Sequence, residues 1–208
     1  MLFRSTKNLK MQRFLKRCID LAGSAALLVA LFPVFVIVGL LVFCDDGLPI
    51  IYRRRVVGLT GNFDAFKFRT MVRNADLILA SAPSLKAEFE RNFKLKHDPR
   101  VTRVGAVLRK YSLDELPQLI NVLRGQMSLV GPRMITDAEL EKYGAHKQLV
   151  QSVKPGMTGY WQVRGRQNVS YEERVAMDAH YVTRWSLGLD LKILAETPGK
   201  VVKKVGAF

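Results

Sequence analysis

The run SLDELPQLINVLRGQMSLVGPR, from Ser112 to Arg133, governs the reading of the whole chain. Leu116, Leu119, Ile120 and Leu123 recur at helical spacing, which predicts a helix with one face turned inward. Pro117 has no N–H and disfavours helical geometry at the residue before it, so it belongs near the start. The helix is therefore expected to begin near Asp114, with Asp114 and Glu115 at the positive end of its dipole. That placement favours ionised carboxylates, suited to a nucleophile or a metal ligand. Ser112 and Glu115 equally satisfy the Ser-x-x-Glu capping box, so helix chemistry alone leaves both readings open. A turn carrying Gly131, Pro132 and Arg133 closes the run.

At 208 residues the chain is long enough for one domain with a real core. Its net charge of +15 points to anionic partners: nucleic acid, lipid headgroups or phosphorylated substrates. One reading is a membrane-tethered basic module that binds nucleic acid or anionic lipid without catalysis; its nucleic-acid form calls for a helix with clustered basic and aromatic residues, and none is evident. Cys18 and Cys44 flank an apolar stretch without metal spacing, which suggests a reducing compartment. His97, His146 and His180 share no metal spacing, and the chain has neither a Gly-x-x-x-x-Gly-Lys phosphate loop nor a zinc motif.

Leu21 to Phe43 carries no charged residue and exceeds the length of about 20 apolar residues that a membrane helix needs. It is too long for a signal-peptide core, and no small-residue cleavage site follows it. Arg4, Lys7, Lys10, Arg13, Lys16 and Arg17 precede it, and Arg53, Arg54 and Arg55 come after Asp45 and Asp46. Basic residues on both flanks conflict with a simple span, because both ends prefer the cytoplasm. Pro33, near the middle, interrupts the helical hydrogen bonding. Two arrangements follow: a kinked span, or a helix-break-helix that returns to the face it entered.

Residues 49–57 read as a strand, Gly58 and Thr60-Gly61-Asn62 as a turn, and 63–71 as its partner, which predicts a β-hairpin. Helices are expected over 73–96 with an interruption at Pro83, around 101–110, over 138–153 and over 171–185. Residues 154–167, with Gly156, Gly159 and Gly165, read as a loop able to approach a ligand closely. Residues 187–204 form a partly amphipathic tail, either packed or docked on a membrane surface. The fold class is α+β: mostly helical, with one small hairpin.

The 112–133 run resembles, nearly letter for letter, the signature of the bacterial sugar transferases, the monotopic phosphoglycosyl transferases. KFRTM (Lys67–Met71) and KPGMTGYWQVRGR (Lys154–Arg166) carry the resemblance onward, in order, over nearly the whole chain. Here Met134 stands where the family's Gly-Pro-Arg-Pro has its last proline, and Phe32 stands where a serine often precedes the membrane proline. The resemblance implies a re-entrant membrane helix broken near Pro33. It divides the chain into a membrane part (1–46) and a catalytic domain (47–208) on the cytoplasmic face of the bacterial inner membrane.

The implied reaction moves a hexose-1-phosphate from a UDP-sugar to undecaprenyl (polyprenyl) phosphate, releasing UMP, as the first step of exopolysaccharide or O-antigen synthesis. The Asn74–Lys96 segment leans the sugar towards glucose or galactose. Asp114 is the expected nucleophile, forming an acyl phosphate. Glu115 is expected to help hold Mg²⁺ or handle a proton, and either acid is a candidate metal ligand. A carboxylate attacking a diphosphate needs fixed cations to offset repulsion. The candidates are Lys67, Arg69, Arg109, Arg133 and Arg166, with Gln162 beside them. Arg109 and Arg133 stand five residues before and nineteen after Asp114, as in relatives. Asp178 and Tyr181 match a family pattern, Asp178 as a structural partner for an arginine. Membrane lipid is a further expected partner, nucleic acid is not, and the oligomeric state stays open, a homo-oligomer included.

Overall fold

The computed structural model describes residues 6–93, 95, 97–165 and 169–202. The apolar stretch is divided between α1 (Thr6–Ala30) and α2 (Phe32–Asp46), which meet at 63°. Among the described residues no single helix is long and apolar enough to cross a membrane, and this bent pair alone meets that length and composition. The break falls at Leu31, upstream of Pro33, which sits in the first turn of α2. A proline ring clashes with the carbonyl four residues back, and in a first turn its missing N–H costs nothing. Helical bonds resume on both sides, Leu31 N to Leu27 O at 2.9 Å and Phe35 N to Leu31 O at 3.0 Å.

The two helices treat their surfaces differently. Val29, Phe32, Ile37, Leu40 and Phe43 are exposed, a large apolar patch for a water-facing surface. The basic half of α1 instead docks on the domain. Lys16 Nζ reaches Val130 O at 2.8 Å and Asp190 Oδ2 at 2.6 Å. Buried Asp20 accepts from Ser128 Oγ at 3.0 Å and Leu129 N at 2.9 Å.

The predicted hairpin forms from β1 (Ile51–Val56) and β2 (Phe63–Phe68), antiparallel with Ile51 opposite Phe68 and Val56 opposite Phe63. The helical stretch around Pro83 becomes α3 (Ala75–Ser81) and α4 (Pro83–Asn92), and α5 spans Arg103–Lys110. The outer edge of β2 is closed by a side chain from α6 (Gln118–Leu123). Asn121 donates to Asp64 O at 2.8 Å and accepts from Phe66 N at 2.9 Å, standing in for a third strand. Arg17 caps the far end of α6, donating to Val122 O at 2.7 Å and Leu123 O at 3.0 Å.

Three expectations are corrected. The α6 helix begins at Gln118, not Asp114, and buries Leu119 and Val122 while Ile120 faces out. Residues 138–153 form two short helices, α7 (Asp137–Glu141) and α8 (Lys147–Gln151), because Gly144 turns the chain at φ +50°. The stretch read as a loop over 154–167 is regular across its described middle: β4 (Gly156–Thr158) pairs in parallel with β3 (Ser128–Val130), and α9 (Tyr160–Arg164) follows, while 166 and 167 lie outside the described residues. This second sheet is absent from the sequence reading, since three-residue strands show no alternation. The helices α10 (Tyr171–Arg184) and α11 (Leu187–Val202) complete the fold. Ile193 of α11 joins the core with Val56, Val122, Val130 and Val163, so the tail is packed along that face.

Candidate active site

Asp114 and Glu115 lie on a 3₁₀ turn, Leu113–Glu115, just before α6. The capping box does not form: Ser112 sits at φ +55° and makes no capping bond. An N-cap needs extended backbone to aim its hydroxyl at the following N–H groups. Thr136 and Ser170, both extended, do form such boxes with Glu139 and Glu173. A serine in the left-handed region is uncommon, and here it rolls Asp114 inward to 7% exposure.

Lys67, projecting from β2, meets both acids. Its Nζ lies 2.6 Å from Glu115 Oε1 and 3.9 Å from Asp114 Oδ2. The two carboxyls are pushed in opposite directions. Burial raises Asp114 above the usual range, helped by the Glu115 charge, and Lys67 and Arg109 counter only part of this. Burial also acts upward on Glu115, but the Lys67 charge and hydrogen bond, with Arg133 and Arg54, bring it below its ordinary value. The expectation of two readily ionised acids therefore holds for Glu115 and is corrected for Asp114. Divergent neighbouring carboxyls are the usual sign of divided roles.

Arg133 is placed by a backbone junction. Gly131 N donates to Thr158 O and Gly156 N to Pro132 O, both at 2.9 Å. A Cβ on Gly156 would stand 2.0 Å from Gly131 N, so only glycine permits this approach. Arg133 N then donates to Asp178 Oδ2 at 3.4 Å, and Tyr143 Oη donates to the same oxygen at 2.9 Å. Burial pushes Asp178 up to about 6. Asp178 thus meets Arg133 only through that residue's backbone N–H; among the described residues no hydrogen bond joins it to an arginine side chain. Met134, at the family's proline position, is buried in the main core.

The remaining candidates divide. Arg109 Nε donates to Thr70 Oγ1 at 2.9 Å, and its charge acts on Asp114. Burial lowers Arg109 itself. Arg69 is turned to the end of α2, donating to Asp46 O at 2.7 Å and Gly47 O at 2.8 Å, so its contacts are not with the dyad. Gln162 Nε2 donates to Met157 O at 3.2 Å. Arg166 lies outside the described residues. The sequence reading passed over Arg174 and Trp161. The signal was present, because Tyr171, Arg174, Asp178 and Tyr181 share one helical stripe.

Among the described residues no group of three or more His, Cys, Asp or Glu side chains could hold a metal. The dyad offers two adjacent hard oxygen donors in a buried setting that penalises uncompensated negative charge. That donor chemistry fits Mg²⁺, which keeps waters and takes substrate phosphate oxygens alongside one or two carboxylates.

Buried Asp114 and half-buried Glu115 thus share Lys67, with the charges of Arg109 and Arg133 acting on them, in a domain that carries a bent apolar helix pair. The chain belongs to the bacterial sugar transferase family, whose profile matches residues 11–204. It is 48% identical over 215 residues to the UDP-galactose-lipid carrier transferase of Erwinia amylovora, covering 100% of this chain and 45% of that protein. It is 46% identical over 215 residues to the undecaprenyl-phosphate galactose phosphotransferase of Salmonella typhimurium, with coverage of 100% and 45%. The exopolysaccharide production protein ExoY of Sinorhizobium fredii is 46% identical over 198 residues, 93% of this chain and 88% of that protein. The chain thus spans less than half the length of the first two relatives.

Proposed function

We propose that this protein is a phosphoglycosyl transferase that moves a hexose-1-phosphate from a UDP-sugar to undecaprenyl phosphate through an aspartyl-linked intermediate. The observation that carries the reading is the Asp114–Glu115–Lys67 cluster, with its two carboxyls pushed apart. The relatives named for undecaprenyl phosphate and UDP-galactose supply the substrate classes, galactose or glucose being the favoured sugar.

In the first step, an Asp114 oxygen attacks the β-phosphorus of the donor. A carboxylate–phosphorus bond forms, the bond to the bridging oxygen breaks, and UMP departs with that electron pair. In the second step, a phosphate oxygen of the lipid attacks the same phosphorus and Asp114 leaves as carboxylate. Asp114 must be deprotonated to attack, and Lys67 with Arg109 supplies the charge that makes this attainable despite burial. Glu115, kept ionised, holds Lys67 between the two acids. Bound Mg²⁺, held by Asp114 and Glu115, would neutralise diphosphate charge. The bent α1–α2 pair would enter and leave the bilayer on its cytoplasmic face, which leaves both basic flanks on one side.

The test is a donor screen with purified protein, undecaprenyl phosphate and Mg²⁺, followed by UMP release. Turnover of a UDP-hexose that depends on Asp114 supports the reading. Absence of turnover with every UDP-sugar rejects it.

A further inference from the structure

Nine buried side-chain nitrogens and oxygens lack a hydrogen-bond partner among the described residues, and their distribution is uneven. Four belong to residues that surround one another: Arg133 Nε, Trp161 Nε1, Arg174 Nε and Asp178 Oδ1. The Arg133 guanidinium carbon lies 5.4 Å from the Trp161 ring centroid, and that of Arg174 lies 4.7 Å from it. Arg174 also lies 5.3 Å from the Tyr171 ring. Arg133, Trp161 and Arg174 are half-buried, and Asp178 is fully buried beneath them.

Unsatisfied buried donors are costly and call for an explanation. Here three of the four atoms are N–H donors, on two arginines and an indole, so the missing partner is rich in acceptors. The cations outnumber the one carboxylate, Asp178, so the missing partner is also anionic. Arg133 connects this cluster to the dyad, since its charge acts on Glu115. Arg174 lies against the same indole as Arg133.

We infer that Arg174, with Trp161 Nε1 and Arg133, forms a subsite for the nucleoside-side phosphate of the donor, the phosphate that leaves as UMP. The inference rests on the transfer reading above. With the transferred phosphorus at Asp114, the inference puts the adjoining phosphate of the same diphosphate against Arg133, whose charge acts on Glu115, and against Arg174, which shares the Trp161 ring with Arg133. When the bridging bond breaks, that phosphate gains the electron pair and a full negative charge. Arg174 therefore contacts a group whose charge grows during the reaction, where a fixed cation is most effective. Arg suits the role through its planar fork of donors, which a lysine reproduces only in part.

The test measures UMP binding to the full chain in detergent by calorimetry, for wild type, Arg174→Gln and Arg174→Lys, with thermal melts alongside. Arg174→Gln is expected to weaken UMP binding at least tenfold with an unchanged melt, and Arg174→Lys to recover part of the loss. Equal UMP affinity in wild type and a folded Arg174→Gln overturns the subsite. Should Arg174→Gln fail to fold, Trp161 fluorescence in a Trp185→Phe background decides: emission that changes with UMP supports the subsite, and emission unmoved at saturation overturns it. Wild-type turnover of UDP-hexose is followed in parallel. UMP binding through Arg174 without turnover upholds the subsite and rejects the transfer reading; turnover with Arg174-independent UMP binding does the reverse.

Discussion

Replacing Lys67 by Met removes the cation that faces both acids while keeping an unbranched side chain one atom shorter. The consequence for Asp114 follows from one distance, Nζ to Oδ2 at 3.9 Å. With an effective dielectric of about 20, Coulomb's law gives roughly 4 kcal/mol at about this separation, or an upper bound of about three pKa units. Water entering the vacated space screens part of this loss, and Arg109 still acts on Asp114. We therefore expect the Asp114 carboxyl to rise by a further one to two units, roughly. In the proposed mechanism Asp114 attacks as the carboxylate, so a higher pKa moves the acidic limb of the pH–rate profile to higher pH. The assay is UMP release measured from pH 5 to 9 for wild type and Lys67→Met. The limb should shift upward by about one to two units, with activity falling at neutral pH and partly recovering in alkali. A lower plateau with an unmoved limb would refute the reasoning, because Lys67 would then bind substrate without setting the charge of Asp114.

Three further outcomes are expected. Gly156→Ala places a Cβ 2.0 Å from Gly131 N and should lower the melting temperature by about 10 °C; an unchanged melt would show that the junction can open without cost. Asp178 is held at about 6 against an ordinary 3.8, so the folded state binds its proton more tightly than the unfolded chain. Stability should therefore fall as pH rises from about 4 to about 6 and then level off, and Asp178→Asn should be the more stable protein above that window by up to about 3 kcal/mol. A destabilised Asp178→Asn at pH 7.5 would show that the ionised form is a net asset beside Arg133 and Arg174. Single cysteines introduced at Asn8 and Thr60, with Cys18 and Cys44 replaced, should both be labelled from the cytoplasmic side only. Labelling of either from the opposite side would restore a spanning helix.

The hairpin was legible because β-rich residues flank a Gly58 and Thr60-Gly61-Asn62 turn, a signal confined to neighbours in sequence. The helices around Pro83 and over 171–185 were legible for the same reason. The start of α6 was misread because Ser-x-x-Glu at 112–115 has the letters of a capping box, while its outcome depends on Ser112 adopting a left-handed conformation that spacing does not reveal. Asn121 reads as an ordinary helix-face residue; its role in closing the edge of β2 exists only once the hairpin is packed against it. The short β3–β4 pairing is likewise a long-range event between segments too brief to show alternation. At the site, the Asp114–Glu115–Lys67 grouping follows from the family motifs. The upward shift of Asp114 does not, since it arises from burial, and neither does the diversion of Arg69 to the carbonyls of Asp46 and Gly47.

The central claim is that Asp114 carries the sugar phosphate covalently. Purified protein is mixed with UDP-galactose or UDP-glucose and Mg²⁺ in the absence of undecaprenyl phosphate. UMP is quantified against protein, and the Asp114 peptide is examined by mass spectrometry after rapid acid quench. Close to one equivalent of UMP should appear together with a hexose-phosphate adduct on Asp114, and added lipid phosphate should discharge it. Asp114→Asn should abolish both burst and adduct. A preparation fully active with lipid, yet releasing no UMP and forming no adduct without it, would contradict the account and leave Asp114 as a base or metal ligand in a direct transfer.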